Sequence, residues 1–141
     1  METPHIPGYR IEKAIGKGAM STVFLGIQES LERRVAIKIL SPRLASDPTF
    51  NKRFVKEARI IGRLGHPHIV TIFDAGSYED LSYIAMEYLE GATLKERIKA
   101  GLTPEQAVKI LRQVAQALGC AHQQNSIHRD IKPANTMFRD P

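Results

Sequence analysis

The sequence predicts an α+β protein in which a sheet comes first and helices follow. Three observations carry this. Residues 9–40 hold three short segments that alternate apolar and polar side chains or are rich in β-branched residues, as half-buried strands are. After Glu87 the apolar residues recur at helical spacing instead. Between the two regimes, Thr103-Pro104-Glu105-Gln106 is a helix start, with Thr as N-cap, Pro in the first helical position and Gln closing a capping box. Strands grouped before helices place the junction near residues 87–91.

Taken in order, Tyr9–Ile15 alternates at period two, and Thr22–Ile27 and Arg34–Leu40 are strand-rich in Val, Ile, Thr and Phe. Gly and charged residues separate them, so an antiparallel meander is the economical topology. Pro48 opens a helix running to about Leu64, where Gly65 and Pro67 stop it. Phe50, Phe54, Ile61 and Leu64 define its apolar face, and Glu57 is expected to share that face. A carboxylate there is costly unless a cation meets it. Two more strands follow, Ile69–Ala75 and Leu81–Tyr88, joined by a turn over 76–80. Thr93–Lys99 reads as a short helix ended near Gly101. The helix begun at Thr103 carries the apolar stripe Ala107, Leu111, Val114, Leu118 and Ala121, which is expected to expose a patch of more than about 400 Å² unless other helices cover it.

Composition narrows the function classes. The chain of 141 residues is 43% hydrophobic and 25% charged, which excludes a disordered tail, a fibre and a disulfide mini-protein. Cys120 stands alone, so no internal disulfide forms and a reducing compartment is the simpler reading. The net charge of +5 is spread as 12 basic and 9 acidic residues over 1–86 and 8 and 6 over 87–141, with no basic stripe, which argues against a nucleic-acid partner. No apolar run is long enough to span a membrane and the N-terminus lacks a secretory signal, so a cytoplasmic location without membrane contact is expected of this segment.

Three clusters carry chemistry. Gly16-Lys17-Gly18-Ala19-Met20-Ser21-Thr22-Val23 lies between the first two strands, where glycines let backbone N–H groups close on phosphate oxygens; a plain hairpin turn is the alternative. A dinucleotide fingerprint would need a helix after the glycines, and a Walker loop a terminal Gly-Lys-Ser/Thr; neither is present. Lys38 sits inside an apolar strand, either snorkelling from a sheet edge or paired with Glu57, and each of these two residues would account for the other's unusual setting. His128-Arg129-Asp130-Ile131-Lys132-Pro133-Ala134-Asn135 packs a carboxylate, cations and an amide into eight residues. Asp130 could accept a proton, Lys132 could neutralise phosphate and Asn135 could bind a hard cation. His66 and His68 flank Pro67 without a third ligand nearby, and His5 and His122 belong to no constellation.

In these residues the chain resembles the eukaryotic-type serine/threonine protein kinases, most nearly those of bacteria. Residues 16–23 are similar to the G-x-G-x-x-G-x-V loop, Val35-Ala36-Ile37-Lys38 to V-A-I-K, and His128–Asn135 to the H-R-D catalytic loop with its Asn five residues after the Asp. The resemblance implies a bilobal kinase fold: a tail over 1–8, a small lobe over 9–86 with a five-stranded antiparallel sheet and one helix, a hinge over 87–91, and the truncated start of a helical large lobe over 92–141. It implies ATP and Mg²⁺ as ligands and a protein Ser/Thr hydroxyl as acceptor. Ile15, Gly16, Lys17, Gly18, Ala19, Met20, Ser21 and Val23 would roof the nucleotide. Val23 and Ala36 would lie above the adenine and Met137 beneath it, with Met86 as gatekeeper and Glu87 and Leu89 as hinge contacts. Lys38 would touch phosphates and pair with Glu57. Asp130 would orient the substrate hydroxyl, Lys132 would meet the γ-phosphate, and Asn135 would hold Mg²⁺. Arg129 matches kinases whose activation loop is commonly phosphorylated. Two departures stand out: Ser21 replaces the usual third glycine, and no D-F-G occurs through Pro141, so this segment alone is expected to be inactive or to act as a non-catalytic nucleotide-binding module. Parents of this kind often carry a membrane helix elsewhere.

Overall fold

The computed structural model describes residues 2–124 and 136–139. These fall into two compact units, one made of residues up to 63 with 70–88, the other of 64–69 with 89 onward.

The first unit is built on β1 (Tyr9–Lys17), β2 (Ser21–Gln28), β3 (Arg33–Leu40), β4 (Ile72–Tyr78) and β5 (Leu81–Glu87), with the short helix α1 (Pro42–Ala45) and the longer α2 (Pro48–Gly62) between β3 and β4. All neighbouring strands are antiparallel and the order is β1-β2-β3-β5-β4. The antiparallel meander expected of the first three strands is formed by β1, β2 and β3. The helical crossover carries the chain past β3 to the edge, and β5 returns into the space beside it. The expected fourth strand, 69–75, starts three residues late. Pro67 cannot donate, the His68 N–H donates to His66 Nδ1 at 3.0 Å, and the Ile69 N–H to the His66 carbonyl at 3.1 Å, so this stretch is a turn.

Alternation along the strands divides the sheet into two faces. Phe24, Val35, Ile37, Ile39 and Ala85 form one continuous core with Ile6 and Tyr9. Ile6 belongs to the residues read as a tail, yet it is completely buried, and the Tyr9 N–H donates to its carbonyl at 3.1 Å. Gly26 is where β1 comes closest: a Cβ there would lie 2.9 Å from Ile37 Cδ1 and 3.1 Å from the Arg10 carbonyl oxygen. Tyr9 Oη donates to Asp74 Oδ2 at 3.0 Å, and Tyr83 Oη to the same oxygen at 3.3 Å. The two rings meet edge to face at 6.0 Å. Burial, then the Asp74 carboxylate, raises both phenols above their usual pKa of 10.0.

The second unit contains α3 (Leu94–Ala100) and α4 (Pro104–Gln123). Thr93 caps α3 by accepting from the Glu96 N–H at 3.2 Å, and Gly101, at φ +104°, ends it in a conformation that suits glycine. The capping box read from the sequence forms at α4: the Gln106 N–H donates to Thr103 Oγ1 at 3.2 Å, and the Thr103 N–H to Gln106 Oε1 at 3.0 Å. Ala121 is buried on the α4 stripe, whereas Leu111 and the off-stripe Val108 stand exposed.

Candidate functional site

The residues singled out in the first unit are assembled by strand register. Val23 pairs directly with Lys38 across β2 and β3, and Ala36 pairs with Met86 across β3 and β5. Period-two alternation puts Val23, Ala36, Lys38 and Met86 on the face opposite the Phe24–Ile37 core. Ala36 is buried there, and Val23, Lys38 and Met86 are half-buried. On this face the small Ala36 lies in register between Leu25 and Met86, with Lys38 two residues further along β3.

Above this face the β1–β2 hairpin turns through Gly18, Ala19 and Met20. The Gly18 N–H donates to the Ser21 carbonyl at 2.8 Å, and the Ser41 N–H to the Met20 carbonyl at 2.9 Å, which ties the turn to the end of β3. The pairing skips a residue between Ala14 and Gly16, so Ile15 bulges out of register and is exposed together with Met20. Gly16 through Ala19 are exposed as well, which leaves the hairpin's backbone accessible to a ligand.

At the far end of β5 the Glu87 N–H donates to the Thr71 carbonyl at 2.9 Å, and Glu87 Oε1 accepts from the Thr71 N–H at 2.9 Å. This pair of hydrogen bonds aligns the strand end that leads to Tyr88, whose ring lies 5.4 Å from the Arg34 guanidinium. In the second unit Met137 bridges to Thr93. The Leu94 N–H donates to the Thr136 carbonyl at 2.6 Å, the Phe138 N–H to the Ala92 carbonyl at 2.9 Å, and Arg97 stacks 4.2 Å from the Phe138 ring. Sequence reasoning missed this clamp; the only available sign was the cation and the aromatic, 41 residues apart. Leu89 is half-buried in this unit.

One expected pairing is not made. Lys38 and Glu57 form no ion pair in this structure, and Glu57 is exposed rather than core-facing. The reason is the azimuth of α2. Its buried line runs through Ala58, with Asn51, Phe54, Val55 and Ile61 half-buried around it. At about 100° per residue, Glu57 lies a quarter-turn or more from Ala58. Its spacing from Phe54 and Ile61 suggested a shared face, but the true centre of that face is one residue further on. Asp130, Lys132 and Asn135 lie outside the described residues, as does Arg129. Among the described residues no cluster of three His, Cys, Asp or Glu is set to hold a metal ion.

The model of the protein kinase domain matches residues 9–141 of this chain. The chain belongs to the protein kinase family. The serine/threonine-protein kinase PrkC of Bacillus subtilis is 47% identical over 132 residues, which are 92% of this chain and 20% of that protein. The serine/threonine-protein kinase PknB of Mycobacterium leprae is 43% identical over 142 residues, covering 96% of this chain and 23% of that protein. The crystal structure of the Mycobacterium tuberculosis PknI kinase domain superposes with a TM-score of 0.84 at 33% identity, over 96% of this chain and 57% of that one. The chain thus spans about a fifth of the curated relatives it matches and rather more than half of the solved kinase domain. Its five-stranded antiparallel sheet with α1 and α2 matches the small lobe of a kinase, and α3 and α4 match part of the helical one. The kinase match begins at Tyr9, so the buried Ile6 is an addition to the part the family model covers.

Proposed function

We propose that this segment forms the nucleotide-binding half of a serine/threonine kinase that transfers the γ-phosphoryl of Mg-ATP to protein hydroxyls. The observation that carries the reading is the register that sets Val23 beside Lys38 and Ala36 beside Met86 on one face, next to an exposed glycine hairpin. Val23 and Ala36 offer a flat apolar seat for a purine, and Met86 limits its depth. Glu87 and Leu89 offer backbone groups to its edge. Met137 is carried over from the kinase resemblance as a further adenine contact. Lys38 supplies a positive charge for phosphate oxygens, and the backbone of 16–21 supplies neutral donors. Phosphoryl transfer asks a protein chiefly for positioning and charge neutralisation, and these groups are suited to both. Asp130 orients the acceptor hydroxyl and takes its proton, Lys132 neutralises the γ-phosphate, and Asn135 offers its carbonyl oxygen to Mg²⁺, which when bound offsets phosphate charge. Glu57 joins Lys38 once α2 turns its exposed flank inward.

A second reading, nucleotide binding without transfer by this segment alone, draws support from the unpaired Lys38 and Glu57. Substitution separates the two. In the full-length kinase carrying this segment, Lys38→Met and Asp130→Asn are each expected to lower kcat by about 10²-fold or more. Wild-type rates in both variants would end the catalytic reading. Nucleotide binding that survives in the 141-residue chain with no phosphate transferred favours the binding module.

A further inference from the structure

The side chains of α2 make a single hydrogen-bonded connection to the sheet among the described residues. Ser82, in β5, is buried and donates from Oγ to Asn51 Oδ1 at 2.5 Å. The Asn51 Nδ2 group donates in turn to the Ala45 carbonyl at the end of α1. Ser77 Oγ, across the β4–β5 ladder, lies 3.2 Å from Ser82 Oγ and completes the chain. Ser82 shares its strand face with Ile84, and Ile84 pairs with Lys38, so the connection reaches the face that carries Lys38.

The rest of the contact is of a different kind. Beyond Asn51, the inward residues of α2 are Phe54, Val55, Ala58 and Ile61, all apolar and without a directed bond to the sheet. The first turn of the helix is fixed by directed bonds, with Asp47 also accepting from the Thr49 N–H at 2.9 Å; the later turns are not. Glu57 stands six residues after Asn51, about 9 Å along the helix axis.

We propose that Asn51 is a positioning residue for the Lys38–Glu57 pair. It holds the axial register of the first turn of α2 against β5, so that the helix brings Glu57 to Lys38 by turning on that point, not by sliding past it. The inference rests on the kinase reading above, and the experiment separates the two. In the full-length kinase, Asn51→Ala is expected to lower kcat about 5- to 10-fold with KM for the protein substrate changed less than about 2-fold. On a Glu57→Gln background the same substitution is expected to lower kcat by less than about 2-fold, because the group it positions is already gone. Ser82→Ala, which leaves the bond to Ala45 in place, should give a smaller loss with the same dependence on Glu57, and it carries the test if Asn51→Ala does not fold. Full additivity with Glu57→Gln, an unchanged kcat or a raised one would each overturn the role of Asn51. If Lys38→Met leaves activity intact, the kinase reading fails first and the inference with it. If Lys38→Met abolishes activity while the cycle is additive, only the inference fails.

Discussion

The two units bury apolar surface in different ways. In the sheet unit a continuous core runs from Ile6 through Phe24, Val35 and Ile37 to Ala85; in the helical unit Ala121 is the one buried hydrophobic among the described residues. A five-stranded sheet covered by a chain segment on one face and a helix on the other is already layered. Two helices touch along narrow lines and need a further layer before an interior exists. Ile98, Val108 and Leu111 are accordingly more than half exposed, although the stripe on α4 is as regular as any in the chain. A good amphipathic pattern therefore identifies a helix without indicating whether its apolar side is covered.

The sharpest way to break this comparison is to remove equal chemistry from both units. Ile37 is fully buried and Leu111 is 65% exposed. Ile37→Ala should destabilise the chain by about 2–5 kcal/mol, from lost transfer energy and the cavity left behind. Leu111→Ala should stay within about 0.5 kcal/mol, as surface changes do. Urea unfolding followed by far-ultraviolet circular dichroism measures both. Similar losses in the two variants would mean that the α4 stripe is covered after all.

A smaller but more discriminating effect is expected at Ile6. If the residues before Tyr9 are part of the small lobe, Ile6→Ala should cost about 2–3 kcal/mol, toward the lower end of the range for buried aliphatic truncations, because a segment outside the strands can adjust around the gap. If they are only a tail, the loss will be near zero. The same urea titration decides it.

What the sequence made legible follows from this division. Strand segments, helix starts and the glycine hairpin were readable because each depends on neighbours within a few residues, as the Thr103–Gln106 box illustrates. The pairing of Val23 with Lys38 and of Ala36 with Met86 was not readable from spacing alone; the kinase resemblance supplied those roles. Placements that depend on distant partners were missed. Ile6 looked like a tail residue because nothing local marks a one-residue anchor. Nothing local marks Asn51, because its partner Ser82 is 31 residues away. Glu57 was placed on the core face from helical spacing, but the azimuth of α2 follows from packing against β4 and β5, where Ala58 is the residue that fits inward. A shift of one residue around a helix is enough to move a carboxylate from the core to the surface.

The smallest effect concerns how the core meets its polar edge. Tyr9→Phe keeps the ring that packs edge to face on Tyr83 but removes the hydroxyl that donates to Asp74. At neutral pH the loss should be about 1 kcal/mol, one hydrogen bond to a carboxylate that Tyr83 still partly satisfies. The pH dependence gives the finer test. Burial and Asp74 raise the folded-state pKa of Tyr9 above its unfolded value of 10.0, so the folded chain holds the phenolic proton more tightly. The stabilisation tied to that proton is whole below pH 10 and is lost progressively as the pH rises beyond it. Tyr83 titrates in the same direction in both proteins. The difference between wild type and Tyr9→Phe should therefore shrink from about pH 10 upward, with wild type losing stability the faster. A difference that stayed constant from pH 7 to 11 would show that the Tyr9 phenol is not held against Asp74, and that Tyr9 serves the sheet core through its ring alone.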